Sequence, residues 1–493
     1  MTEKYVFSEE AVMLLNQNMT YRHVLSERYP SKEMKEWFSG MAIISRWRQM
    51  WIEIARGQMN LGIERIRPEM LEEMQRNKML IDFVLAKKEE AARKHDVMAH
   101  VHTFGAICPT AAPIIHLGCT SCEITDNSEL IAMRDGLQMI AVQLARAINY
   151  LKKIALQWKD QPTLAWTHFQ FAQPTTVGKR ICIWIQDLML DLMEIERLIE
   201  ELRFRGIQGT TGTQASFLEL FEGDHAKVKE LNRMVTKACG FKKSFIITGQ
   251  TYTRKQDAMI LSRLASLAAS LHKIGTDIRL LANKMEMEEP STEGQDGSSA
   301  MPFKRNPMLN ERLCSLARYL WNLLPNANET HALQWLERTL DDSAGRRMYI
   351  SEAFLTADAA LIILQKIAGG LIVYPKMIER NMQEPLQFLA SEEILMDVVR
   401  AGGSRQEAHE KVKLHSLAAG RRIKQEGLPC DLFERIRSDD FFAPVHDKLD
   451  SFLDPSRFIG RAPFQVEEFI EEEINPLLAK YEGQLEKEVV INV

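Results

Sequence analysis

The chain has 493 residues, 45% of them hydrophobic, with 62 basic against 67 acidic side chains. That is enough apolar material for a large buried core, and a formal charge of −5 excludes a polyanion coat or a basic nucleic-acid tail, so any anion site must be local. Seven cysteines, an odd number scattered from Cys108 to Cys430, fit a reducing compartment better than a disulfide framework.

The first residues, MTEKYVFSEE, lack the apolar h-region of a signal peptide, and no apolar run approaches the ~18 residues of a membrane span, so the expected location is cytoplasmic. Proline and glycine punctuation at ICPTAAP (107–113) and GGLIVYP (369–375) suggests three parts: a helical N-terminal domain over 1–111, a central bundle over 112–373 and a helical C-terminal domain over 374–493.

Helical periodicity dominates the middle part. From Leu130 the apolar positions run Met133, Leu137, Ile140, Leu144, Ala147, Leu151, Ile154 and Trp158, in steps of three and four, which predicts a bundle helix of about thirty residues. The same pattern runs from Leu261 to Met285 inside a proline-free segment, Thr251 to Glu289, long enough for a helix of ~55 Å. Further helical patterns occupy 177–205, 308–324 and 343–372, and strand signals are sparse. The predicted fold is all-α: an elongated central bundle of long helices flanked by helical N- and C-terminal domains.

Chemistry-bearing residues fall between these helices. His95, His100 and His102 have spacing that could suggest a metal, but no cluster of further ligands accompanies them, and Cys119 and Cys122 form a lone CxxC without a second pair; no metal or cofactor is expected. His168 stands in WTHFQFAQPTTVG, past the end of one long helix and before the next. The second long helix runs into MEMEEPSTEGQDGSSAMPFKRNP, a polar loop with a Gly-Ser-Ser turn, a Met-Pro step, and then Lys304 and Asn306, which can hold a carboxylate. Such a loop suits closure over an anionic substrate.

That loop resembles the signature of the fumarase/aspartase superfamily, whose members eliminate fumarate from a succinyl group on oxygen or nitrogen. HDVMAHVHTFG (95–105), TSCEITDN (120–127), THFQFAQPTTVGKR (167–180), GQTYTRK (249–255), KRNPM (304–308) and ERTLDDSAGRR (337–347) resemble its adenylosuccinate-cleaving branch, and the resemblance spans nearly the whole chain. It implies two nucleotide substrates, adenylosuccinate and succinylaminoimidazole carboxamide ribotide, and a homotetramer in which the segment carrying His168 and the loop carrying Ser298 come from different subunits. By the same resemblance Ser298 is the base and Lys304 and Asn306 hold the fumaryl carboxylate, while His168 suits the general acid because an imidazole titrates near neutrality.

The resemblance further implies that His95 and Asp96 lie against the substrate, that Thr120 and Ser121 donate to the succinyl carboxylates, and that Arg28, Tyr29, Arg338, Ser343 and Arg347 contact the nucleotide. Gln250 and Arg312 complete that shell. Fork-shaped arginine donors suit a phosphate. Arg346 reads instead as a surface ion-pair partner. Lys94, Leu309, Asn310 and Gly345 depart from the pattern of that branch; Lys94 offers a point charge where Arg would offer a fork. The other readings are a different fumarate-releasing lyase, such as one acting on argininosuccinate, and a non-catalytic structural relative that kept only the bundle.

Overall fold

The computed structural model describes residues 19–291, 301 and 303–486. Its centre is built from five helices: α1 (Ser121–Gln157), α2 (Val177–Glu201), α3 (Lys255–Asn283), α4 (Met308–Trp321) and α5 (Asp342–Gly369). The stripe Leu130, Met133, Leu137, Ile140, Leu144 and Leu151 is buried along α1 as the periodicity predicts. α1 begins earlier than its apolar stripe, because the Thr120 N–H donates to Glu123 Oε2 at 2.6 Å and so caps a polar first turn. α3 is shorter than expected, 29 residues or about 44 Å, since Tyr252 gives its N–H to Asp126 Oδ2 at 3.2 Å instead of joining a helix.

α5 corrects one expectation. By length and mean hydropathy it could cross a membrane, because its few polar residues, such as Asp358 and Gln365, hardly dilute the run of Ala, Ile and Leu between them. However, 78% of that stretch is buried inside the protein, where Ala353, Phe354, Ala357, Leu361 and Leu364 pack against the other helices. It is the core helix of the bundle.

The strands are few and short, as the sequence suggests. β1 (Pro162–Thr167) and β2 (Gln170–Thr176) form an antiparallel hairpin between α1 and α2, and β3 (Met287–Glu288) pairs with β4 (Ile372–Val373). One apolar core joins the N-terminal helices, the bundle and the last helices around Val466, Ile474 and Leu478. A second core lies within 390–452, around Ile394, Val398, Leu432, Phe442 and Leu449.

The bundle has two poles. Arg254, just before α3, bonds both Asp126 near the start of α1 and Asp342 at the start of α5, so three helices begin together. At the other end the hairpin links α1 to α2, Lys284 after α3 stands over the rings of Trp166 and Phe169 at 4.9 and 5.6 Å, and β3 with β4 ties the ends of α3 and α5 together.

Candidate active site

At the first pole, one buried carboxylate organises three segments. Glu123 Oε1 accepts from Arg205 Nη1 at 2.6 Å and from the N–H groups of Gln208 (3.1 Å) and Gly209 (2.6 Å), while its Oε2 holds the Thr120 N–H. Arg205, fully buried, also donates to the Gln250 carbonyl at 2.9 Å. Unpaired, either charge would be costly to bury; bonded in this way they fix Thr120, Ser121 and Gln250 beside one another. Gln250 in turn gives its N–H to the Glu337 carbonyl at 3.0 Å. That approach needs Gly249, because a Cβ there would stand 2.3 Å from the Glu337 oxygen.

Arg338 follows directly, donating through Nη1 to Gln250 Oε1 at 2.9 Å and to Cys122 Sγ at 3.3 Å. The Cys122 thiol is pushed up to about 12 by burial and then by Asp126, so it is an inert acceptor. On the same rim Arg347 Nη2 donates to Asp96 Oδ2 at 2.8 Å, and Ser121 Oγ lies 3.4 Å from His95 Nε2. Burial pushes the Asp96 carboxyl up, but the Arg347 bond and the Val97 N–H outweigh it and hold the group below its ordinary value. His95 caps the helix Asp96–Ile107 through Nδ1, which accepts the Met98 N–H at 3.3 Å, leaving Nε2 toward Ser121. Lys94, with φ 55°, ends the preceding helix and is exposed. This pole gathers forked cations, hydroxyls and an imidazole, a set suited to an anion with several oxygens.

At the far pole His168 and Phe169, with φ 53° and 57°, form the two-residue turn of the hairpin, and Thr167 pairs with Gln170 across it. The turn aims an exposed imidazole outward. Beside the end of α3 a cavity of about 200 Å³ is lined by Glu288, Glu289, Phe303, Lys304, Arg305 and Asn306. Glu289 accepts the N–H groups of Leu309 and Asn310, both at 2.9 Å, and the Asn310 amide at 2.7 Å, so it closes the base of the loop on the start of α4. Asn310, one of the departures from the family pattern, is thus buried as a partner of Glu289. Arg312 sits two residues further along α4. Ser298 lies outside the described residues, as does Ser299.

The structure therefore brings His95, Asp96, Thr120, Ser121, Gln250, Arg338 and Arg347 together at one pole, with Ser343 on the first turn of α5 beside them. It leaves His168, Lys304 and Asn306 at the other. The two groups lie at opposite ends of the bundle, with α1, 37 residues or about 56 Å long, running from Ser121 toward the hairpin of His168. Arg28 and Tyr29 lie along α5 instead: Ser31 N–H donates to Asp358 at 2.6 Å and His23 stands 3.5 Å from Glu352, one to three turns beyond Arg347.

Arg346 is not a surface residue. It is 5% exposed, bonds Asp257 Oδ2 and the Tyr252 hydroxyl at 2.8 and 2.7 Å, and pairs with Glu129. Its neighbour in sequence points outward because adjacent helical residues face about 100° apart. Sequence reasoning missed this buried lattice of Glu123, Asp126, Arg205, Arg254, Asp257 and Asp342. A signal existed: stepping back from Leu137, Met133 and Leu130, the buried stripe of α1 continues as Asp126 and Glu123, carboxylates on a core face.

With this geometry in view, likenesses to known proteins sort by depth. The bundle matches the crystal structure of 3-carboxy-cis,cis-muconate lactonizing enzyme from Pseudomonas putida, with TM-score 0.79 at 22% identity over 92% of this chain and 100% of that one. Fumarate lyase from Mesorhizobium sp. matches with TM-score 0.76, also at 22% identity, over 92% and 100%. A family model described as Lyase matches residues 59–319, which carry most of both poles. Residues 387–469 match one described as Adenylosuccinate lyase C-terminus. In sequence, adenylosuccinate lyase from Saccharomyces cerevisiae is 50% identical over 96% of this chain and 99% of the relative, and that from Schizosaccharomyces pombe is 48% identical over 96% and 98%. The chain belongs to the adenylosuccinate lyase family.

Proposed function

We propose that this protein eliminates fumarate from adenylosuccinate to give AMP, and from succinylaminoimidazole carboxamide ribotide, as a cytoplasmic homotetramer. The observation that carries the reading is the gathering of Arg338, Arg347, His95 and Ser121 on one rim, in a chain about half identical to adenylosuccinate lyases over nearly its full length. A fumarate-releasing enzyme without a nucleotide to bind has little use for two forked cations there.

In this mechanism Ser298, as the alkoxide, takes the proton from the succinyl carbon next to the carboxylate. The electron pair left behind forms the fumarate double bond as the carbon–nitrogen bond breaks, and His168 delivers a proton to the departing nitrogen. Lys304 and Asn306 hold the carboxylate on which negative charge develops, and Thr120 and Ser121 donate to the succinyl group. Arg338, Ser343 and Arg347, with Arg28, Tyr29 and Gln250, hold the nucleotide, and Lys94, His95, Asp96 and Arg312 complete the shell.

The same geometry supports the assembly. With α1, 37 residues or about 56 Å long, running from Ser121 toward the hairpin of His168, a working site in this reading takes its far-pole residues from another copy. The exposed side chains of Ile183, Leu190 and Met193 on α2 offer apolar surface for such contacts. We assign 1–111, 112–373 and 374–493 to the three domains, the middle one carrying most of both poles.

The direct test is ultraviolet detection of product formation with adenylosuccinate and, separately, argininosuccinate. Turnover of the first alone is expected. Turnover of argininosuccinate alone would replace this reading with the other lyase, and turnover of neither by the folded protein would favour a structural relative.

A further inference from the structure

The buried lattice of the first pole carries one unbalanced feature. Arg254 is shared by two carboxylates, bonding Asp126 through Nη2 at 3.0 Å and Asp342 Oδ2 through Nε at 2.8 Å and Nη2 at 2.6 Å. Both carboxylates are almost fully buried, so this triad has one negative charge more than its guanidinium neutralises. On Asp342 the excess has a definite place. Oδ2 is taken by Arg254, whereas Oδ1 is buried and accepts no hydrogen bond among the described residues.

The cation that faces Oδ1 is Arg338, whose Nη2 stands 3.9 Å away, four residues back along the chain in the segment that leads into α5. Arg338 is itself incompletely satisfied. Nη1 is bonded to Gln250 and Cys122, but the buried Nε has no partner among the described residues. A buried donor and a buried acceptor, each unused and on neighbouring side chains, are each costly unless a ligand or a small shift completes them. Arg338 carries no other carboxylate partner in this lattice, so Asp342 supplies the local field that keeps its guanidinium at the site.

We infer that Asp342 is a positioning residue for anion recognition: through Oδ1 it holds Arg338 against Gln250 and Cys122, so that the exposed part of its guanidinium stays in place to face an oxygen of the nucleotide. This rests on the reading of Arg338 as a nucleotide contact. Asp342 touches no substrate and acts only through Arg338. Arg254 retains Asp126 when the Asp342 charge is removed, so the lattice keeps one of its two ion pairs in the variant.

The test is a double-mutant cycle on the full-length protein with Asp342→Asn and Arg338→Lys, reading KM and kcat for adenylosuccinate and competitive inhibition by inorganic phosphate. Asp342→Asn is expected to raise KM about tenfold, weaken phosphate inhibition in parallel, and lower kcat less than about twofold, because the lost interaction is uniform binding. In the Arg338→Lys background, whose own KM is raised, the same substitution is expected to change KM less than about twofold. An unchanged KM in Asp342→Asn, or an equal tenfold rise in both backgrounds, overturns the assignment while leaving Arg338 as a contact. An unchanged KM in Arg338→Lys alone overturns the reading of Arg338 and the assignment with it. If thermal melting shows that Asp342→Asn does not fold, Asp342→Glu, which keeps the charge and displaces Oδ1, takes its place with the same expected and overturning outcomes.

Discussion

Arg347 reaches across 251 residues of sequence to donate to Asp96 at 2.8 Å, joining the start of α5 to the helix that His95 caps. The Arg347 side chain is 64% exposed, so the pair adds little to stability and leaves most of the guanidinium open to an incoming anion.

Arg347→Lys keeps the charge and loses the fork. It is expected to weaken nucleotide binding by ~1 to 3 kcal/mol with little change in melting temperature. Isothermal titration with AMP checks this, and equal affinity in the two proteins would remove Arg347 from the site.

Ser298→Ala is expected to abolish turnover while substrate still binds, because a base acts mainly in the transition state. Ser299→Ala should be milder. Calorimetry beside single-turnover kinetics separates binding from chemistry, and normal turnover in the Ser298 variant would assign the base elsewhere.

The two poles make a prediction about mixing. His95→Ala and His168→Ala are each expected to be inactive alone, yet a mixture that has exchanged subunits should regain about a quarter of parental activity, a half times a half, if each site draws the two residues from different chains. A mixture still inactive after proven exchange would mean that the two residues do not share a site.

The second core has its own pH signature. Asp439 is raised by burial, but hydrogen bonds from His415, Lys411 and the Phe441 N–H outweigh this and hold it at about 2, below its ordinary 3.8. A carboxyl depressed in the folded state contributes stability that is present above pH ~3.8 and is lost as pH falls through ~2. Asp439→Asn should therefore lower the melting temperature at neutral pH, and the deficit should shrink on acidification across that window. A deficit independent of pH would point to packing instead of charge.

What the sequence alone determined is the part governed by local pattern. Steps of three and four between Leu130 and Trp158 require one buried helical face whatever surrounds it, so the long bundle helices and the all-α class were legible from the chain. Residue types in short motifs, such as His95 with Asp96 or Lys304 with Asn306, were legible too, because their chemistry does not depend on distant neighbours. Tertiary structure alone decided which of them meet. Arg346 turned inward to Asp257 and Tyr252 while Arg347 stayed outside, and the unremarkable residues Glu123, Arg205 and Asp342 became the supports of the first pole. It also set His168 on a tight hairpin turn beyond the far end of α1 from Ser121, a separation that motif order along the chain does not encode. The physical reason is that a buried charge is stable only with partners, and those partners come from segments that the fold, and not sequence spacing, brings within 3 Å.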